Sequence, residues 1–161
     1  MTMKPADIKS VMRTFNTIAV MKGQYTNIAT SDEQGNPNVA PIGSMRMVDE
    51  TTVHILQGFL PKTMSNLRKN PKAVFSVCLR PTLAGMLATF REKEEDILGY
   101  QVYCTLTGET RDELAITREA RIIARRAPFI FRRSLNSFCK KNLKRLLTFT
   151  VDDIRAIGAP E

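Results

Sequence analysis

The chain has 161 residues, of which 43% are hydrophobic and 25% charged, which is typical of one globular domain and not of a disordered chain. No apolar run reaches the ~18 residues that a membrane-spanning helix needs, and the first residues lack the apolar segment of a signal peptide. With three widely spaced cysteines, these features predict a cytoplasmic protein without a membrane partner. The formal net charge of +8 favours anionic partners, such as nucleic acid or a phosphorylated cofactor.

The single histidine, His54, limits the chemistry that the side chains can supply. It lies in a strand-like run of three residues, Val53, His54 and Ile55, so we interpret it as a structural residue. No cluster with the spacing of metal ligands is present, and a triad of Ser, His and Asp would have to use this one histidine. The sequence therefore predicts no metal site and gives no catalytic residue.

The first third of the chain predicts a helix followed by three strands. Apolar residues recur at steps of three and four between residues 7 and 21, which indicates an amphipathic helix. Strands are predicted over 25–30, 38–47 and 52–57, with a turn at residues 32–37 where Gly35 supplies a positive φ. Pro41 and Gly43 lie inside the second strand, so that strand is predicted at a sheet edge or with a bulge.

The stretch from Leu60 to Pro71 predicts a short helix whose start could bind an anion. Thr63 is a good N-cap and Pro71 disfavours helical geometry at Asn70, so the helix is predicted over residues 63–69. Unpaired amides at a helix start, together with the Lys62 ammonium and a hydroxyl, suit a phosphate dianion. The alternative is an ordinary capped connector with a solvated lysine.

The rest of the chain completes a barrel-like pattern. The apolar run 73–79 predicts a strand buried on both faces, residues 80–99 are interpreted as a lid or a surface excursion, and 100–109 as a strand. Helices are predicted on both sides of Pro128, followed by a last strand over 146–151. Six short strands with flanking helices predict a mainly β, closed or partly closed barrel. We expect one domain over 1–161, made of helix 7–21, barrel 25–110 with closing strand 146–151, and a basic helical segment 112–142.

The basic helical segment allows two interpretations. Ten basic residues and one acid, Glu119, lie between Arg118 and Arg145. Interleaved Phe129, Phe131 and Phe138 are typical of a nucleic-acid or acidic-partner binding surface. We favour the other interpretation, in which these rings form the buried stripe of amphipathic helices together with Ile122, Ile123, Ile130 and Leu135. Cys139, beside Lys140 and Lys141, is the one thiol whose sequence context suggests a lowered pKa.

The order of several short motifs resembles a known family. These motifs are Asn27-Ile28-Ala29-Thr30, Asp32 with Gly35-Asn36-Pro37, Val39-Ala40-Pro41-Ile42-Gly43, Lys62-Thr63, Asn66-Leu67 and Asn70-Pro71-Lys72-Ala73-Val74. Together they resemble the pyridoxamine 5'-phosphate oxidase-like family of FMN-binding split β-barrels. The resemblance covers about residues 8 to 110 and continues more loosely to the last strand. It implies a six-stranded split β-barrel of Greek-key type with flanking α-helices.

The resemblance also implies a homodimer with FMN at the subunit interface. Lys62 and Thr63 match the positions that hold the FMN phosphate. The strand along the flavin corresponds to Ala40, Pro41, Ile42, Gly43, Ser44 and Met45. Ile55 and Leu56 match positions beside the flavin on the next strand, and Gln101 matches a glutamine that reaches the flavin from the partner subunit.

Departures from the family pattern argue against pyridoxamine phosphate oxidation. The oxidases usually carry Arg in place of Ala40 and Lys in place of Met45, and their substrate-binding end is rich in Arg, His and Trp, whereas this chain has no Trp. The resemblance therefore implies an FMN-binding oxidoreductase or electron-transfer protein that acts on a small molecule or a redox partner. Three alternatives remain open: a deazaflavin-dependent reductase, a flavin store or redox sensor, and a basic module that binds nucleic acid or an acidic partner.

Overall fold

The computed structural model describes residues 5–17, 25–58, 60–78 and 99–157. Four helices and seven strands lie in these ranges. The helices are α1 (Pro5–Thr17), α2 (Pro61–Lys69), α3 (Glu113–Ala124) and α4 (Phe129–Asn142). The strands are β1 (Thr26–Ser31), β2 (Pro37–Ile42), β3 (Met45–Met47), β4 (Thr52–Gln57), β5 (Lys72–Cys78), β6 (Gly99–Thr110) and β7 (Arg145–Ile157). The predicted end of the first helix, over 18–21, and nearly all of the predicted 80–99 excursion lie outside the described residues.

All neighbouring strands pair in antiparallel fashion, in the order β2-β1-β5-β6-β7-β4-β3. The strands β2 and β3 therefore lie at opposite edges of the sheet, although only residues 43 and 44 connect them. Three Cα steps of ~3.8 Å keep Ile42 and Met45 within about 11 Å. A flat sheet of seven strands would separate these edges by about 29 Å. The short link therefore requires the sheet to curl until its edges meet, which confirms the predicted barrel.

The barrel interior is filled by alternate residues of the strands and by one face of α1. Phe75 and Phe149 are fully buried and contact each other edge to face, with ring centroids 5.2 Å apart. Val11 and Phe15 of α1 are also fully buried in this cluster. Asn16 fixes the helix to β3, because its side-chain amide donates to the carbonyl of Met47 and accepts from the same residue's amide, both at 2.9 Å.

Two strand predictions are corrected by the pairing. The predicted strand 38–47 is two strands, because the chain leaves one sheet edge after Ile42 and joins the other at Met45. Its first part is an edge strand, as Pro41 indicated. The last strand extends to Ile157 instead of ending at residue 151, because β6 continues to pair with it.

The prediction that the 73–79 run is buried on both faces is wrong for the single chain. Ala73, Phe75 and Val77 are buried in the core, whereas Val74 and Ser76 are half-buried and Cys78 is exposed. Only one face of β5 packs against the barrel interior. The apolar run without alternation therefore predicted burial of both faces of β5, whereas one copy of the chain buries only one of them.

The basic helices form where they were predicted, with a break at Pro128, and the Asp112 carboxylate caps α3 by accepting from the amide of Leu114. The predicted buried stripe is wrong in part. A second cluster is formed by buried side chains of both helices together with Leu56 and Leu146; the helical members are Ile116, Ala120, Ile123 and Cys139. Four large apolar side chains of α4 lie outside this cluster. Phe129, Ile130, Phe131 and Phe138 are exposed by 83%, 75%, 43% and 54%. None of the described helices has the length and apolarity needed to cross a membrane.

Candidate functional site

The start of α2 differs from the predicted helix start. The helix begins at Pro61 with Leu60 as its N-cap residue, so Thr63 lies within the first turn and is not the cap. The side chain of Thr63 is buried, and its hydroxyl accepts from the amide nitrogen of Asn38 on β2 at 3.0 Å. Proline at the first helical position lacks an N–H group, which removes one of the amides expected to face an anion.

A buried polar network fixes α2 to the edge of the sheet. Asn66 donates to the hydroxyl of Thr30 at 3.2 Å, and Asn38 bridges the Thr30 and Thr63 hydroxyls. Because Asn66, Thr30 and Thr63 are each at most 5% exposed, the bond between Asn66 and Thr30 is shielded from water, whereas the two bonds of half-buried Asn38 are shielded in part. The network sets the position of the first turn of α2 relative to β1 and β2.

Lys62 lies on this first turn with 60% of its side chain exposed. Its Nζ atom is 3.7 Å from Asp32 in the β1–β2 turn. Asp32 is already held by that turn, because its carboxylate accepts from the amides of Gln34 and Asn36, and Gly35 adopts the predicted positive φ of 82°. The Asn36 side chain, which also donates to this carboxylate, is the main cause of the lowered pKa of Asp32. The ammonium of Lys62 therefore faces solvent beside a rigid turn.

Residues 40–45 line the place where the two sheet edges meet. β2 pairs with β1 alone, so its outer backbone groups have no partner strand in the described sheet. Gly43 and Ser44 lie between the strands, and the Ser44 hydroxyl donates to the carbonyl of Leu56 at 2.7 Å. Ala40, Gly43 and Ser44 are half-buried and Pro41 is exposed. This corner therefore offers backbone groups and small side chains to a ligand.

Besides Thr63, four of the predicted site residues have buried side chains. Ile42, Met45, Ile55 and Leu56 are between 1% and 5% exposed. The first three pack in the barrel core, and Leu56 packs in the second cluster under α3. Any contact of these four with a ligand in this corner therefore comes from their backbone, not from their side chains.

Gln101 lies apart from the other predicted residues within one chain. It is on β6, which β1 and β5 separate from β2, so about 14 Å of curved sheet lies between the two strands. Its half-buried side chain shares the outer face of the sheet with Tyr103, whose hydroxyl donates to the side-chain oxygen Oε1 of Gln101 at 3.1 Å. Within one chain, the predicted residues of α2 thus lie against β2, those of β3 lie against β4, and residues 43 and 44 connect the two groups, whereas Gln101 lies on another surface.

A groove with a volume of about 360 Å³ crosses this outer face. Ala29, Val74 and Tyr103 form part of its floor, and the Arg155 guanidinium stacks 4.7 Å from the centre of the Tyr103 ring. The groove is therefore a largely apolar surface with charged margins on the face of β5 that the sequence indicated as buried.

An ion-pair cluster that no sequence pattern predicted is assembled from three distant segments. Arg46 donates from Nε and Nη2 to the two carboxylate oxygens of Glu119, at 2.8 and 2.5 Å, and His54 Nδ1 lies 3.1 Å from Glu119 Oε1. Burial works to raise the pKa of Glu119, but the bonds to Arg46 and His54 outweigh it, and the pKa is lowered. Glu119 stood out in the sequence only as the single acid in a basic stretch.

The thiols give no support to a redox role for Cys139. Its side chain is buried in the second cluster, and burial raises its pKa, although neighbouring lysines suggested the opposite. Burial, with a smaller effect of Asp152, raises the pKa of Cys104 to about 12. Cys78 is exposed at the end of β5. A reactive thiolate is therefore not expected at either buried cysteine.

Comparison with known proteins identifies the family of this chain. The model of a family described as "Protein of unknown function (DUF447) N-terminal domain" matches residues 26–131, which is more than half of the chain. The chain belongs to the DUF447 N-terminal domain family. In this member the match extends from the start of β1 into the first turn of α4, so it includes α2 and the corner between the sheet edges. The comparison with curated proteins finds no match.

Solved structures confirm that this DUF447 domain has the split-barrel fold of pyridoxamine 5'-phosphate oxidase-like proteins. An FMN-binding protein from Syntrophomonas wolfei is 21% identical, with a TM-score of 0.66, and the alignment covers 96% of this chain and 88% of the other. HupZ of Group A Streptococcus is 18% identical over 97% and 95% of the two chains, with a TM-score of 0.59. A Clostridium acetobutylicum protein of the pyridoxinephosphate oxidase family is 12% identical over 93% and 89%, with a TM-score of 0.54.

Proposed function

We propose that this DUF447 domain binds FMN and acts as a flavin-dependent oxidoreductase or electron-transfer protein. The observation that carries the proposal is the exposed Lys62 ammonium on the first turn of α2, which lies beside the β1–β2 turn and is fixed to the edge strand β2 through Thr63 and Asn38. A cation at a helix start favours the phosphate of a nucleotide. The FMN-binding protein of Syntrophomonas wolfei, which has the same fold, supports the choice of ligand.

The residues of the corner fit this cofactor through their backbone. Lys62 would hold the phosphate, and the half-buried segment from Ala40 to Ser44 would lie along the ring system. The buried network of Asn38, Thr63 and Asn66 would keep α2 at a fixed distance from that segment. Bound FMN supplies hydride or electron transfer, which requires no acid–base pair from the protein.

We further propose that two copies of the chain form the complete site. Gln101 is separated from β2 by two strands of the sheet. It shares the outer face of the sheet with half-buried Val74 and Tyr103, which line the 360 Å³ groove. A second copy on this face would bury the side of β5 whose apolar sequence indicated burial. Light scattering should give about twice the 18.1 kDa mass of one chain, and a monomer that binds FMN with full affinity would contradict this proposal.

Replacing Lys62 tests the phosphate contact. We expect Lys62→Ala to weaken FMN binding by about 1.5–3 kcal/mol, because a charge-assisted hydrogen bond is lost. Lys69→Ala is a matched control, since Lys69 is on the same helix, has a similar exposure of 54% and is also paired with an acid, Glu33. Quenching of FMN fluorescence measures both dissociation constants. Unchanged affinity in Lys62→Ala would remove this residue from the site, and a wild-type protein that binds no FMN would end the proposal.

A deazaflavin coenzyme is the alternative ligand for the same corner. Its isoalloxazine-like ring would use the same β2 edge, and its longer phosphorylated tail would extend towards basic surface. The absorption spectrum and mass of the chromophore that co-purifies with the protein distinguish the two cofactors.

A second candidate function is supported by the exposed rings of α4. Phe129, Phe131 and Phe138 face solvent beside basic residues, an arrangement that suits stacking against single-stranded nucleic acid. In this case a gel-shift titration with single-stranded DNA should show binding that falls steeply with salt. Phe129→Ala should weaken that binding, and absence of a shift at micromolar protein would exclude this function.

A further inference from the structure

A second cavity lies between α1, β3 and α3, away from α2. Its volume is about 550 Å³, within the range of small-molecule sites. The residues that line it are Asn16, Thr17, Arg46, Ile122, Arg125 and Arg126. Three of the six side chains are guanidinium groups.

The charge around this cavity is unbalanced. Glu119 neutralises Arg46 through two hydrogen bonds, whereas Arg125 and Arg126 have no ion pair among the residues that the structure describes. With one carboxylate against three guanidinium groups, the cavity carries an excess of two positive charges. Such an excess favours a doubly charged anion.

Arg126 is the member of the cluster that most needs a partner. Its Nη1 atom donates to the carbonyl of Met45 at 2.6 Å, but its Nη2 atom is buried and lacks a hydrogen-bond partner within the described part of the chain. Burial, and then the charge of Arg46, lower the pKa of Arg126 to about 10. A buried guanidinium next to a second cation is unfavourable, and an anion in the cavity would offset its charge without contacting Nη2.

The other polar groups of the cavity are already engaged. The Asn16 amide is bonded in both directions to Met47, and the Thr17 hydroxyl donates to the carbonyl of Arg13 at 2.8 Å. Donors for a ligand therefore come from the arginines, and Ile122 adds an apolar wall. Guanidinium groups match the oxygen geometry of phosphate through paired hydrogen bonds.

We propose that the cavity formed by Arg46, Arg125 and Arg126 is a binding site for a phosphate dianion, either free or as part of a small phosphate monoester. The exposed Arg125 guanidinium binds the oxygens, Arg126 supplies a second positive charge beside them, and Glu119 holds the Arg46 guanidinium in place. This site shares no lining residue with the FMN corner, although the two adjoin where Arg126 bonds to the carbonyl of Met45. It does not depend on the proposed flavin function.

Calorimetric titration of the full chain tests the site, with inorganic phosphate as the probe and chloride at equal ionic strength as the reference; FMN is left out because its own phosphate monoester would compete for the arginines. We expect saturable phosphate binding that Arg125→Gln weakens about tenfold or more, the effect of losing one charge-assisted contact. Arg121→Gln is the matched control, because Arg121 is exposed in the last turn of α3, just before the C-cap residue Arg125, but does not line the cavity. Glycerol phosphate that binds more tightly than inorganic phosphate would identify a monoester as the ligand.

Two results would overturn the proposal. One is phosphate binding no stronger than chloride binding, and the other is an equal loss in Arg121→Gln and Arg125→Gln, which would indicate only a diffuse basic surface. Repeating the titration with Lys62→Ala, without FMN, separates this proposal from the flavin proposal. Binding that persists there supports the arginine site even if the chain binds no flavin.

Discussion

Phe149→Ala should lower the free energy of unfolding by about 3–5 kcal/mol, the usual cost of removing a buried phenyl ring. Phe149 is fully buried on β7, where it contacts the equally buried Phe75 edge to face. Its strand pairs with β4 and β6, so the ring lies where the sheet curls around the core. Truncation would leave a cavity that the surrounding strands cannot fill. Urea denaturation, with the slope checked for two-state behaviour, measures the loss.

Phe129→Ala provides the matched control for this prediction. The Phe129 ring is 83% exposed, so its removal should change the free energy of unfolding by no more than about 0.5 kcal/mol. If Phe149→Ala does not fold, the more conservative Phe149→Leu should still be less stable than the wild type. Equal stability of Phe149→Ala and Phe129→Ala would contradict the position of the core.

Glu119→Gln should lower the free energy of unfolding by about 3 kcal/mol at neutral pH, because breaking a buried ion pair leaves the Arg46 guanidinium without a counter-charge. Glu119 is 4% exposed and accepts both hydrogen bonds of Arg46. Its neutral amide replacement keeps the shape of the side chain but leaves the guanidinium unbalanced. Glu50→Gln is the control, since Glu50 is exposed in the β3–β4 turn and should change stability by less than about 0.5 kcal/mol.

The effect of Glu119→Gln should also depend on pH. The pKa of Glu119 is lowered in the folded state, so the unfolded chain binds the proton more tightly. The stabilisation is therefore complete above the unfolded pKa of about 4.3, and it is lost as the pH falls through the lower folded pKa. The stability difference between the wild type and the variant should shrink in acid. A difference that stays constant from pH 7 to pH 3 would show that the carboxylate charge does not matter.

In the proposed FMN corner, local sequence patterns predicted the turn and the end of α2 correctly, but not the start of α2. Asp32 and Gly35 predicted a turn that the structure confirms, and Asn70-Pro71 marked the end of α2 correctly. Thr63 was misassigned as a cap, because a threonine after a proline-containing loop has the same local signature whether it begins the helix or is buried within its first turn. Its hydrogen bond to Asn38 depends on a strand 25 residues earlier, which no local pattern reveals.

The sequence by itself determined most of the helices and strands, the break at Pro128, the edge position of β2 and the resemblance to the split-barrel family, because these depend on spacing, turn chemistry and motifs within short stretches. The tertiary structure alone decided the sheet order, the side of β5 that is buried, the exposure of the phenylalanines on α4 and the meeting of Arg46, His54 and Glu119. The physical reason is that hydrophobicity indicates that a side chain favours burial but not which surface will cover it. Pairing between distant segments, such as residues 46 and 119, is fixed only when the sheet closes and α3 packs against it.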